Sequence, residues 1–150
     1  MVDTSGDALR EAVAEGVYLI KPNLRELETL AGRELRSEAD QEAAAQRLIE
    51  DGKVEVVAVS LGAAGALLVT AGDCFRLKAP EVEPKSAVGA GDSFVGAMTL
   101  GVAEGRSMRE AFTLAVATGT ATVLTMGTEL CRREDVERIF RELKSGSGEG

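Results

Sequence analysis

Apolar positions change period along this chain, and the changes mark out alternating helices and strands. Leu9, Ala12 and Val13 fall on one face of a helix expected over 8–15, with Gly16 as its stop. Asp3-Thr4-Ser5 looks like the end of a strand running into a helix cap. Val17-Tyr18-Leu19-Ile20 is an unbroken apolar run, the character of a short strand buried in a parallel sheet. Asn23, with Glu26 three positions on, has the form of a capping box and opens a short helix. Ala44, Leu48 and Ile49 share the inward face of a helix over 37–51, which Gly52 ends. Val54 to Ser60 is β-branched and apolar apart from Glu55, the clearest strand pattern in the chain. Two further short strands are expected over 66–70 and 75–78, joined around Gly72-Asp73. Pro80 and Pro84 then keep 79–85 extended.

The second half is helical. A helix is expected from Asp92 to about Glu104, ended by Gly105. Ser107, with Glu110 at the capping-box position, opens another that runs to about Leu124. That helix is apolar nearly all round, through Leu114, Ala115, Val116, Ala117 and Val123, and is therefore buried. Its small residues, 117–121, admit close approach of a neighbouring helix or of a flat ligand ring. A polar loop over 125–130 leads to an amphipathic helix over 132–144. Val136, Ile139, Phe140 and Leu143 form its stripe, and Glu134–Arg138 and Glu137–Arg141 are its expected ion pairs. With no repeat and no interdomain linker, 1–144 form one domain and 145–150 a disordered tail.

Composition narrows what such a chain does. Its 150 residues carry a formal net charge of −8 and no basic stripe, which argues against nucleic-acid binding as the main activity. An anionic ligand would need local attraction from helix N-termini, Lys21, Lys85 or a metal. The absence of histidine excludes His-based triads, His metal sites and His proton shuttles within these residues. Cys74 and Cys131 form no metal pattern and suit reduced thiols in a cytoplasmic protein. No apolar run reaches membrane-spanning length, and residues 1–20 lack the pattern of a signal peptide.

Candidate chemistry gathers at Val88-Gly89-Ala90-Gly91-Asp92-Ser93-Phe94. The glycines allow a tight turn with bare backbone. The first amides of the following helix lack intrahelical partners, and the helix dipole adds to their pull on an anion. Asp92 stands at the lip of that pocket, placed to accept a proton from a hydroxyl that attacks a phosphoryl group. It equally suits the role of an N-cap behind a glycine turn. Asn23 and Glu26, following a strand, stand where open α/β sheets collect ligands, though a capping box alone accounts for both. The turn Ser60-Leu61-Gly62-Ala63-Ala64-Gly65 is either a hairpin connection or a ligand loop.

The order and spacing of these blocks resemble the C-terminal half of a ribokinase-like (PfkB-type) carbohydrate kinase. The blocks are Gly16-Val17-Tyr18-Leu19-Ile20-Lys21-Pro22-Asn23, Ser60-Leu61-Gly62, Val88-Gly89-Ala90-Gly91-Asp92-Ser93, Gly96-Ala97-Met98-Thr99-Leu100 and Gly127-Thr128-Glu129-Leu130-Cys131, and the resemblance covers nearly the whole chain. It implies the C-terminal portion of a three-layer α/β/α sandwich, with ATP, Mg2+ and K+ as cofactors and a small sugar phosphate as partner. Asp92 would be the catalytic base, and the amides of Gly89, Ala90 and Gly91 would hold the transferring phosphoryl group. Asn23 and Glu26 would serve Mg2+ and phosphate. Lys21, Asn23, Ser60, Gly62 and Gly65 would contact ATP, with Val116 and Thr120 bordering the adenine. Carbonyls of Ser86 and Val88, with Thr122, Thr125, Gly127 and Glu129, would match a monovalent-cation site. Ala87 departs from the hydroxyl residue usual before the glycine turn, and Glu129 from a basic residue usual in its loop. The family's N-terminal half, with its lid, sugar-binding residues and several strands, has no counterpart here. Strands 17–20 and 54–59, expected to be buried on both faces, would then leave an open apolar edge, and a homo-oligomer is expected.

Overall fold

In the computed structural model, which describes residues 1–147, the expected alternation is present. In order come α1 (Gly6–Glu15), β1 (Val17–Ile20), α2 (Leu24–Ala31), α3 (Glu38–Glu50), β2 (Val54–Ser60), a 3-10 turn (Gly62–Ala64), β3 (Ala66–Thr70) and β4 (Asp73–Leu77). Helices α4 (Ala90–Ala103), α5 (Met108–Val123) and α6 (Arg133–Gly146) follow. The four strands form one mixed sheet in the order β1-β2-β3-β4. β1 runs parallel to β2, with Val17 opposite Val54 and Ile20 opposite Val57. β2 runs antiparallel to β3, with Val57 opposite Val69 and Ser60 opposite Ala66. The parallel pair is joined by a crossover through α2 and α3, as parallel strands require, and the antiparallel pair by the short 3-10 turn.

Contacts group the chain into two compact units. The first holds Met1–Gly62 with Ala66–Arg76. Its core joins Val57 and Val59 of β2 and Leu67 and Val69 of β3 to Leu9 of α1, Leu27 of α2 and Ala45 of α3. At about 25 cal/mol per Å2, burial of such aliphatic side chains supplies the main drive to fold. β2 is buried throughout apart from Glu55 and Ser60, as its composition suggests. β1 is buried on both faces only at its C-terminal end: Leu19 and Ile20, which point to opposite faces, are both buried, while Tyr18 is 48% exposed. Among the described residues, the far side of β1 meets a single parallel bridge, from Val2 to Ile20. Arg76, on β4, reaches α3 through Glu42 (3.1 Å) and Gln41 (3.2 Å), tying strand to helix.

The second unit holds Ala63–Gly65 and the chain from Leu77 onward. Here α4 packs along α5, and α5 along α6. Phe94 and Phe112 meet edge to face across α4 and α5, centroids 5.9 Å apart. Ile139 and Leu143 carry the buried stripe of α6, with Val136 and Phe140 at its margins.

Several boundaries differ from expectation. β4 begins at Asp73 and ends at Leu77, one or two residues earlier than its apolar run. α1 starts at Gly6 after Ser5, whose side chain makes no capping bond. α6 continues through Ser145 and Gly146, part of the expected tail, while 148–150 lie outside the described residues. The expected ion pairs of α6 are replaced: Arg138 joins Asp135 (3.0 Å) and Glu142 (3.4 Å), and Arg133 joins Glu137 (3.0 Å). Each arginine has several acids within a turn, and such exposed pairings are nearly equal in energy.

Candidate active site

In the first unit the parallel pairing of β1 and β2 brings their C-terminal ends together. Asn23 bridges Ser60, and the Ser60 amide donates to the Pro22 carbonyl at 2.9 Å. Two expected nucleotide contacts, Asn23 and Ser60, are thus neighbours. Asn23 and Glu26 also complete a reciprocal capping box. Asn23 Oδ1 accepts from the Glu26 amide at 2.9 Å, and Glu26 Oε2 accepts from the Asn23 amide at 2.8 Å. Capping therefore commits one Glu26 oxygen and leaves Oε1 without a hydrogen bond among the described residues. Lys21 is less available than its sequence position suggests. Its side chain is 11% exposed, and its Nζ lies 3.5 Å from Asp3.

Gly62 opens the 3-10 turn at φ +59° with open space where a side chain would be. In the second unit, Gly65 is required by packing. It sits at φ +103°, and a Cβ there would run into the Leu77 carbonyl oxygen. That close approach accounts for the glycine with or without a ligand.

The glycine turn is also in the second unit. Gly89 is the N-cap of α4, in the left-handed region at φ +80°, and contributes no side-chain cap. Asp92 is consequently the third helical residue and not the N-cap, which removes the capping alternative. Its carboxylate is exposed and forms no hydrogen bond or ion pair among the described residues. The first-turn amides divide. Ala90 donates a long bond to the Ala87 carbonyl (3.4 Å), while Gly91 and Asp92 donate to nothing among the described residues. Of the expected donors Gly89, Ala90 and Gly91, Ala90 is partly engaged, and the open Asp92 amide stands beside Gly91.

The residues expected around a monovalent cation also meet in this unit. The amides of Lys85 and Ser86 both donate to the Val123 carbonyl (2.7 and 3.3 Å), laying the segment before the glycine turn along the end of α5. The Ser86 hydroxyl accepts from the Val88 amide at 3.2 Å. Thr125 is buried, and its hydroxyl lies 2.8 Å from the Thr122 carbonyl and 3.0 Å from the Glu129 carbonyl. It staples the 126–129 loop, which holds Gly127, to the helix end. Each of these carbonyls retains a second lone pair. Val116 is buried on α5 and Thr120 half-buried. The Val123 carbonyl is an anchor that no side-chain pattern could reveal.

An unpaired carboxylate beside unpaired first-turn amides suits an enzyme that holds an oxyanion and takes a proton next to it. The chain belongs to the pfkB family of carbohydrate kinases, whose profile matches residues 1–135. It is 46% identical over 144 residues to the ATP-dependent 6-phosphofructokinase isozyme 2 of Escherichia coli (strain K12), across 95% of this chain and 47% of that protein. Identity to the 1-phosphofructokinase of the same organism is 42% over 121 residues, 81% of this chain and 38% of that protein. The crystal structure of the E. coli Phosphofructokinase-2 in complex with substrates and products superposes with a TM-score of 0.91 at 46% identity, covering 95% of this chain and 47% of that one. The potassium complex of the same protein gives 0.90 at the same identity and coverage. The chain therefore spans about half the length of the curated relatives it matches, and its fold is that of the ribokinase-like kinases. No helix among the described residues is long and apolar enough to cross a membrane.

Proposed function

We propose that this chain carries the nucleotide-binding and proton-accepting part of an ATP-dependent sugar-phosphate kinase, acting on the C1 hydroxyl of fructose 6-phosphate to give fructose 1,6-bisphosphate. The observation that carries the reading is the unpaired Asp92 carboxylate beside the unpaired Gly91 and Asp92 amides, in a chain of this family. Asp92 takes the hydroxyl proton as the oxygen attacks the γ-phosphorus of ATP, the bond to the β-bridging oxygen breaks, and ADP leaves. The amides of Gly91 and Asp92, with Gly89, receive the charge of the transferring phosphoryl oxygens. Chemistry of this kind depends on positioning and charge stabilisation more than on covalent help from the protein. Asn23, Ser60, Gly62 and Gly65 are assigned to nucleotide contacts and Val116 and Thr120 to the adenine border, while Lys21, held by Asp3, is a weaker candidate.

Among the described residues no group of three or more acidic or cysteine side chains could hold a metal. Mg2+ would instead be held by ATP phosphates and, through water, by the uncommitted Oε1 of Glu26, a habit of this ion. It would supply charge neutralisation at the phosphates. K+ suits the carbonyls of Ser86, Val88, Thr122, Gly127 and Glu129 with Thr125, and is supported by the potassium complex of the E. coli relative. The unpaired thiols of Cys74 and Cys131 suit the reducing cytoplasm. The open side of β1 and the tetrameric inhibited form solved for the E. coli protein support a homo-oligomer.

The test is Asp92→Asn in a kinase that contains this chain. ATP affinity is expected to stay nearly unchanged while turnover falls by about a hundredfold or more, the usual scale for a lost general base. Near-normal turnover would refute the assignment. A second reading is a module that binds nucleotide without turnover. ATP binding by the purified chain, with no ADP release on adding fructose 6-phosphate, fructose 1-phosphate or tagatose 6-phosphate, would support it.

A further inference from the structure

Helices α4 and α5 approach through two glycines, one near each end of their contact. At one end a Cβ on Gly101 would stand 2.8 Å from Cα and Cβ of Ala111. At the other, a Cβ on Gly119 would stand 3.2 Å from the Ala90 carbonyl oxygen and 3.7 Å from Phe94 Cβ. Ala90 is the first residue of α4, between Gly89 and Gly91, and its carbonyl lies in the first turn of the helix, next to the Gly89 carbonyl that accepts from the Ser93 amide at 2.9 Å. The first turn of α4 therefore rests on the bare backbone of Gly119.

We infer that Gly119 is a positioning residue for the phosphoryl-binding turn: its missing side chain sets how deeply the first turn of α4, with the Gly91 and Asp92 amides and the Asp92 carboxylate, seats against α5. The consequence for ligands rests on the function proposed above; the positioning itself rests on the packing. A methyl at 119 meets backbone oxygen, which cannot rotate away, so the turn must lift by a few tenths of an ångström. Donors aimed at a phosphoryl oxygen lose alignment with such a shift, and misplacement by about 1 Å can cost about a hundredfold. A shift several times smaller is expected to cost roughly three- to tenfold in affinity for a phosphate-bearing ligand. The small residues around 119 suit either a helix or a ligand ring in the sequence. The Ala90 contact assigns Gly119 to the helix.

Gly119→Ala tests this in the purified chain, with Gly101→Ala as the comparison. Three readouts are taken: the backbone amide resonances of Gly91 and Asp92, thermal stability, and binding of Mg2+–AMP-PNP and of adenosine. In Gly119→Ala both amide resonances should move, Mg2+–AMP-PNP should bind roughly three- to tenfold more weakly, and adenosine binding and Tm should hold. In Gly101→Ala the loss should fall on Tm and leave the two resonances in place. Unmoved Gly91 and Asp92 resonances in Gly119→Ala would overturn the inference. Equal losses for AMP-PNP and adenosine would overturn it too, and make Gly119 part of an adenine border. If the unsubstituted chain binds neither ligand, the proposed function falls, and the two resonances alone decide the role of Gly119.

Discussion

Two glycines five positions apart in α4 should respond in opposite ways to the same substitution. Gly96 is exposed in the helix interior, with nothing within 4 Å of where its Cβ would be. Gly96→Ala therefore adds only the helix preference of alanine over glycine, a gain of about 0.5–1 kcal/mol. Gly101 is buried, and its added methyl would lie 2.8 Å from Cα and Cβ of Ala111. Those atoms belong to or adjoin backbone, so relief requires the helices to part. Overpacking of this kind costs about 1–3 kcal/mol. The helix gain is common to both variants and cancels between them, so their difference is the packing cost itself. For a chain of this size about 1 kcal/mol moves Tm by about 2–4 °C. Gly96→Ala should melt a few degrees above the parent protein, and Gly101→Ala several degrees below Gly96→Ala. Calorimetry or circular dichroism at 222 nm, with urea midpoints at constant m-value, measures both. Equal melting temperatures, or Gly101→Ala above Gly96→Ala, would refute the packing argument.

Other outcomes follow from single contacts. Glu26→Gln preserves most of the capping geometry and removes charge, so it should raise the Mg2+ requirement of an active kinase containing this chain at little cost in Tm; a lower Tm with unchanged Mg2+ dependence would leave Glu26 as a cap alone. The Asp40 carboxyl is held below its ordinary value of 3.8 by the Ser37 hydroxyl and by Arg33. Because its pKa is depressed in the folded state, its support for the start of α3 is present above that ordinary value and is lost as pH falls through the lowered one; a carboxyl resonance titrating at or above 3.8 would contradict this. β1, paired with β2 and met on its other side by one bridge from Val2, is expected to make the chain self-associate, and a monodisperse monomer in light scattering would show that the edge is protected.

Much of the fold is legible from period alone. β2 and β3 match their apolar runs to the residue, and the capping box at Asn23 marks where α2 begins. The misses have local causes. β1 reads as buried throughout because Tyr18 counts as apolar, yet cover reaches both faces only at Leu19 and Ile20 and leaves Tyr18, on the same face as Ile20, exposed. The pairings on α6 escape prediction because Arg138 has Glu134, Asp135 and Glu142 within one turn, and rotamer details choose among them. The α5 glycine that receives α4 is visible only as one of several small residues. Its partner, the backbone oxygen of Ala90, leaves no mark in side-chain pattern.

The candidate site shows how much one position matters. An aspartate at the N-cap would turn its carboxylate onto the first-turn amides, filling the donors that an anion needs. Three positions later it does not compete for them. The Gly-Ala-Gly-Asp spacing produces the second arrangement because Gly89 takes the cap position at φ +80°, a conformation that residues with a Cβ seldom adopt. With no side chain there, the cap satisfies none of the amides, and those of Gly91 and Asp92 stay open while the Asp92 carboxylate remains unpaired. Substituting Gly89 would strain the turn, and a capping side chain in its place would close the amides from within. The glycine therefore matters less for flexibility than for leaving backbone donors unanswered beside an acid, and the proposed function rests on that juxtaposition more than on the aspartate alone.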